Sequence, residues 1–414
     1  MVDDTSIRAE IQRLHRLATD AHNEGQFKTA HDLLEKTCEL ALRIEDTQFL
    51  IRERYWLSEI MTHLGENEQA LAICEWLISL PQNPTLFNTD LNDESQQYIV
   101  SAYSRFAETA LSLKQCTTEE VYGVIDRGLQ FVSDLGKSRT WTADLHRVKG
   151  RLLTMEFRTE QAIQELETAL ALKRRDPSSP GGHLSDYLMA LAMTLIFAGR
   201  LEESAQYLQE VIEDGETYEE RKGIARILLS INHLNRDDVD SALGESKRAI
   251  EQLELRENPS ALLSALTVFI VALSQKDPNL AMQEAIRAFW KFRALSPQPM
   301  RYLLDGMPPI LFTLIRVEQA RRSFPAQRSL HYLAQANRFL SRGKSVFYSL
   351  EQKTGSAIWV SVFLKEAEEK IKELTEFYQQ VTANRRRWVI LLAREMIRSL
   401  FQRLFGSRSK LRTK

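Results

Sequence analysis

The stretch Gly199-Arg200-Leu201-Glu202-Glu203-Ser204, followed at once by Ala205, lies between two amphipathic segments, Tyr187–Ala198 and Tyr207–Ile212. It reads as the joint of two antiparallel helices. Glycine supplies a turn conformation closed to most L-residues. The apolar residue two places on covers the joint, and the small residue five places on lets the second helix press against the first. The same cell recurs along the chain. Gly25-Gln26-Phe27-Lys28-Thr29-Ala30 opens a segment that runs through Leu33, Leu34, Cys38 and Ala41. Gly65-Glu66-Asn67-Glu68-Gln69-Ala70 does so 40 residues later, through Leu71, Cys74, Leu77 and Ile78. Weaker copies keep the phase: Phe157 to Ala162, with Phe157 in the glycine place; Asp237 to Ala242; and Lys276 to Ala281, with Pro278 in the joint. A copy around Leu113 to Val121 is out of phase, and Met300 to Arg342 shows only a helix pair.

Between the joints, apolar residues recur at i, i+3, i+4 and i+7 with almost no strict alternation, the period of helices rather than strands. The pattern resembles the tetratricopeptide repeat family in its longer, roughly 40-residue form. That resemblance covers residues 6–342, about eight helix pairs, and implies an all-α, right-handed solenoid of antiparallel pairs. Residues 343–383 are expected to form a helical cap or extension, with a long charged helix from Ile358 to Val381. Residues 384–414 are expected to form a basic amphipathic helix and tail. Two turn-rich connections, Pro81 to Asp93 and Asp176 to Gly182, are plain loops or places where the array bends or admits a partner.

Composition agrees with an ordinary folded chain. Of 414 residues, 43% are hydrophobic and 27% charged, which excludes disordered and collagenous classes. Sixteen Gly and eleven Pro fall well below the roughly 12% of average usage, against a turn-rich β protein. Cys38, Cys74 and Cys116 are odd in number and lack CxxC spacing, so neither a disulfide framework nor a zinc ribbon is expected. No signal sequence or membrane span is read, which places the chain in a reducing, cytoplasmic compartment.

Catalytic motifs are absent: no GxSxG, HExxH, GxGxxG or phosphate loop occurs. Gly343-Lys344-Ser345 imitates the end of a phosphate loop, but Arg338 stands where its first glycine belongs and no strand precedes it. Asp237-Asp238-Val239-Asp240 lacks the glycine and glutamate of a calcium loop and reads as a helix N-cap. His15, His22 and His31 lie at spacings of seven and nine, so the first pair could share a helix face, but two imidazoles without a carboxylate or thiol partner read as surface or packing residues, and no metal and no cofactor are expected. Hidden catalysis would need non-adjacent acids such as Glu59 and Asp144 to meet. The expectation is a non-enzyme with no small-molecule substrate.

In the family that the pattern resembles, the first helix of each pair lines a concave binding face. The family's carboxylate clamp would need Lys and Asn on the first units; His15 and Thr19 stand there instead. Early facing positions are polar or aromatic: Gln12, His15, Arg52, Tyr55, Glu59, Arg147 and Arg151. Later ones are apolar: Met189, Met193, Ile196, Ile227, Ile231, Leu266 and Ile270. Either these form a trough for an amphipathic helix or peptide, or the assumed phase is off and they are core. The function read from this is an adaptor or scaffold holding a protein or peptide in its groove, with a peptide-responsive regulatory sensor as the alternative.

Ten Lys/Arg and one Glu lie from Asn384 to Lys414, +9 within a chain of net charge −2, so the first 383 residues carry −11. Arg385, Arg386, Arg387, Arg394, Arg398 and Arg403 flank an apolar stripe of Val389, Leu392, Met396, Ile397, Leu400 and Leu404. Four roles stay open: a packed last helix, attachment at an anionic membrane surface, contact with nucleic acid or an acidic protein, or docking into the groove.

Overall fold

The computed structural model describes residues 4–82, 91–113, 116–179, 181–215, 217–254, 259–295, 301–323, 326–354 and 358–383. The basic segment after residue 383, with Arg385, Arg386, Arg387, Arg394, Arg398 and Arg403, lies outside them. Among the described residues there are 17 α-helices and no strand. The first four are α1 (Asp4–Asn23), α2 (Phe27–Arg43), α3 (Thr47–Leu64) and α4 (Asn67–Ser79). Next come α5 (Asp93–Leu113), α6 (Thr118–Asp134), α7 (Ala143–Met155), α8 (Thr159–Arg175), α9 (Leu184–Phe197) and α10 (Leu201–Glu213). The array continues with α11 (Glu219–Asn235), α12 (Val239–Leu253), α13 (Pro259–Lys276), α14 (Pro278–Leu295), α15 (Arg301–Arg321), α16 (Ala326–Thr354) and α17 (Ile358–Ala383).

The joints show why the chain folds this way. Seven of the turns place one residue in the left-handed region: Gly25, Glu45, Gly65, Gly136, Phe157, Gly199 and Asp237, at φ from 53° to 81°. At each, that residue's N–H bonds the carbonyl three residues back, and the next N–H bonds the one five back. For Gly199 these are Gly199 N to Ile196 O at 3.1 Å and Arg200 N to Leu195 O at 2.9 Å. This paired cap satisfies carbonyls that the ending helix would leave bare. Phe157 and Asp237 therefore do stand where glycine belongs. The small residue five places on is wholly buried at every cell: Ala30, Ala70, Ala162, Ser204, Ala242 and Ala281 are all 0% exposed. Ser204 Oγ donates to Ala192 O at 2.9 Å across that contact.

Consecutive helices pack against each other, and the odd-numbered helices from α3 to α17 also touch the next odd-numbered one. Two layers result: odd helices side by side on one, even helices on the other. The core runs between them as a chain of clusters rather than one centre. This is the all-α helical-pair solenoid expected from the sequence. The expected boundary at residues 342 and 343 falls inside α16, which runs unbroken to Thr354, so Gly343-Lys344-Ser345 is mid-helix. Helix α17 packs on α15 and α16, and Tyr378 Oη donates to Ala320 O at 3.1 Å. Asp238 caps α12, accepting from Ser241 N at 3.2 Å. No helix among the described residues is long and apolar enough to cross a membrane.

Candidate functional site: a charged groove on the odd helices

The odd helices α1 to α11 line a cavity of about 1380 Å³. α1 gives Thr19 and His22; α3 gives Tyr55, Trp56, Glu59 and His63; α5 gives Tyr98, Arg105 and Glu108. α7 gives Asp144, Arg147 and Arg151; α9 gives Asp186, Met189 and Met193; α11 gives Arg221, Ile224 and Leu228. The connection after α8 also reaches the cavity through Pro177, Ser178, Ser179, Gly181 and Gly182.

Ion pairs climb the groove from one odd helix to the next. Arg105 on α5 pairs with Glu59 on α3 at 3.0 Å and lies over the Tyr55 ring at 5.3 Å. Arg147 on α7 reaches Glu108 on α5 at 3.0 Å and Asp144 at 2.6 Å, and Arg151 also pairs with Glu108. Arg221 on α11 pairs with Asp186 on α9 at 3.0 Å. Repeat spacing produces this: one turn position on successive helices lies side by side, so opposite charges one repeat apart meet.

The electrostatics follow from burial and pairing. Burial raises the Glu108 carboxyl, but the Arg147, Arg151 and Arg105 guanidinia outweigh it and hold it down to about 2. Glu59 is likewise pushed up by burial and pulled below the usual range by Arg105 and the nearby imidazoles. Asp186 is depressed too, burial being overcome by Arg221. Desolvation is the largest cause that pushes the Tyr55 phenol up to about 12, helped by the Glu59 carboxylate, and it lowers His22 and His63, helped by the nearby guanidinia. Lys173, lowered by burial, donates to Ser179 O at 2.7 Å and ties the α8–α9 connection to the groove. Gly181 makes that closeness feasible. It sits at φ +110°, and a Cβ there would lie 2.4 Å from Asp144 Cβ.

Of the residues expected on the binding face, Tyr55, Glu59, Arg147, Arg151, Met189 and Met193 line this cavity. His15 does not. Its Nδ1 lies 2.9 Å from Oε2 of the fully buried Glu53, which Thr37 and Arg52 also bond. The expected apolar trough is corrected at Ile227 and Ile270, which are 6% and 1% exposed and sit in core clusters. Ile231 and Leu266 are half-buried against the same core and do not line the cavity. An interior odd helix packs against two even helices and two odd neighbours, so most of its apolar residues serve packing. The sequence reading passed over Arg105, Glu108, Asp186, Arg221 and Lys173, although opposite charges at repeat spacing were a usable signal. It also weighed His22 only beside His15 and His31 and did not single out His63, which shares one end of the groove with His22 and Glu59.

No protein-family model matches the sequence, and no curated protein matches it. Solved structures share its fold. One is a signal transduction ATPase with a tetratricopeptide repeat sensor from Pyrococcus horikoshii, at 13% identity and TM-score 0.51, covering 83% of this chain. The match spans about half of that protein, 49%. Another is the apo form of RapI, at 11% identity and TM-score 0.52, covering 90% of this chain and 98% of that one. A third is a Rap protein complexed with competence and sporulation factor, at 12% identity and TM-score 0.51, covering 89% and 99%. The fold is thus that of tetratricopeptide-type helical-repeat proteins.

Proposed function

We propose that the chain is a non-enzymatic binding module that takes a peptide, or an extended segment of a partner protein, into the groove of α1 to α11. The observation that carries this is the cavity itself: a concave space of about 1380 Å³ with its charged side chains already held by cross-repeat pairs. Pairs formed before binding reduce the ordering cost of association. Carboxylates outnumber guanidinium and ammonium groups on the lining, seven to five. The occupant we infer is therefore neutral to basic, with an apolar residue against Met189 and Met193. Glu59 and Asp144 each face an arginine rather than one another, an arrangement suited to holding charge and not to passing protons.

A regulatory sensor is the second reading, in which occupancy alters the relation between repeats and a separate partner reads the change. It is favoured by one solved structure of similar fold being complexed with competence and sporulation factor. The basic segment after Ala383 would then add a second contact, at an anionic membrane surface or an acidic partner.

The test compares capture of partners by three immobilised forms: the full chain, a version ending at Ala383, and the full chain carrying Glu213→Lys with Met193→Lys, two lining positions at which added positive charge repels a basic occupant. One defined partner held by the first two and lost with the third supports the groove. A partner lost with the truncation and kept by the double variant overturns it in favour of the C-terminal segment.

A further inference from the structure

We propose that His22, Glu59 and His63 form a binding site for a divalent metal ion of the zinc type at the α1/α3 end of the groove. One donor atom from each lies within 4.8 Å of the other two. Glu59 and His63 are one helical turn apart on α3 and so share a face, and His22 comes from the last turn of α1. Zinc donors at about 2.0–2.2 Å from the ion in a tetrahedron lie about 3.4 Å apart. The three side chains therefore need to close in by little more than about 1 Å.

Neighbouring rings already hold both imidazoles in place. His63 stacks flat on Phe27, ring centroids 4.4 Å apart at 3°. His22 meets the edge of Trp56 at 5.8 Å and stands 5.5 Å from the His63 ring. The Nδ1 atom of His22 is buried and has no hydrogen-bond partner. A buried polar atom left unpaired costs about 1–3 kcal/mol, and an ion is one of the few things that would satisfy it. Glu59 is gripped through Oε2 by Arg105 at 3.0 Å, as a ligating carboxylate commonly is by an outer partner. The charges facing the cluster from across the groove are Glu220 and Arg221 on α11, which act on it with opposite sign.

Two imidazoles and one carboxylate suit zinc and its neighbours and not magnesium, which takes oxygen donors. All three residues line the cavity, so a fourth coordination position opens toward whatever occupies it. A second cluster, His31, Asp32 and Glu35, has one imidazole on the outer face of a single helix and two exposed acids. It serves as the control.

The experiment strips the purified full-length protein with a chelator, exchanges it into chelator-free buffer and titrates zinc in competition with a chromogenic chelator. One ion per chain is expected. The exposed His63→Ala variant should weaken binding beyond the roughly 10–100-fold that loss of an outer partner costs, and His22→Gln likewise, while His31→Ala leaves it unchanged. Cobalt added instead of zinc should give the visible absorption of a tetrahedral nitrogen-and-oxygen site. Circular dichroism on each variant confirms folding. The proposal is overturned by absence of one-to-one binding in the wild type, by binding that survives His63→Ala and His22→Gln together, or by magnesium binding as well as zinc.

Discussion

Phe157 and Asp237 carry L side chains at φ 60° and 59°, in joints where Gly199 sits at 73°. The left-handed region costs a non-glycine residue roughly 1–2 kcal/mol, partly offset because glycine loses more backbone freedom on folding. Phe157 is 53% exposed, so about half of the residue is already in water. Phe157→Gly is expected to raise the unfolding free energy by about 1 kcal/mol, and Gly199→Ala, which meets nothing within 4 Å, to lower it by about 1–2 kcal/mol. Urea unfolding curves of the two variants beside the wild type decide it; a destabilised Phe157→Gly would show that the ring matters more than the backbone. A second residue sets an acid limit. The Glu108 carboxyl sits at about 2 in the folded chain against an ordinary 4.5. The unfolded chain therefore binds more protons between those values, and stability rises with pH there. Glu108's contribution is complete above about pH 4.5 and is lost as pH falls toward 2. Glu108→Gln should cost about 1.5–3 kcal/mol at neutral pH, the worth of hydrogen bonds to a charged group. It should also flatten the acid limb of the stability profile measured by thermal unfolding from pH 5 downward.

At the scale of helices and joints, the sequence was most legible where backbone geometry leaves few solutions. Positive φ and a fully buried small residue five places later are demanded by the joint itself, so Gly25, Gly65 and Gly199 with Ala30, Ala70 and Ser204 show in the letters. Phe157 and Asp237 show only once the period is known. Groove-facing positions were less legible, because an interior odd helix is apolar toward four neighbours and Ile227 and Ile270 look no different from trough residues. The connection from Asp176 to Gly182 was visible as a break but not as part of the site. Its inward course depends on Lys173 reaching Ser179 O six residues on and on Gly181 lying against Asp144 from about one repeat earlier. Gly181→Ala combines a φ of +110° with a Cβ 2.4 Å from Asp144, so the connection must lift away. Faster amide exchange confined to residues 176–182, with the helices still protected, is the expected result; unchanged exchange there would mean the connection is not held by this contact.

Across the whole molecule, the solenoid converts a one-dimensional repeat into a surface. Each unit contacts its neighbours, so stability adds up locally, while the odd helices place equivalent side chains in register. Arg105 with Glu59, Arg147 with Glu108 and Arg221 with Asp186 are one device used three times. Such partly buried pairs add little net stability compared with apolar packing. Their effect is to fix charge on a concave wall, where it acts on an incoming ligand at distance. The described part of the chain belongs to the 383 residues that together carry −11, and the lining keeps an excess of carboxylates. A basic peptide should therefore associate faster and more tightly at low salt, since the Debye length shrinks from about 30 Å at 0.01 M to about 8 Å at 0.15 M. Titrating one basic peptide and its charge-neutral analogue at both salt levels separates the contributions. If the ladder steers binding, the basic peptide alone loses affinity as salt rises, mainly through a slower on-rate. Should both peptides bind equally and ignore salt, the energy of recognition would lie in apolar contacts at Met189 and Met193, and the charged wall would serve only to hold the repeats in register.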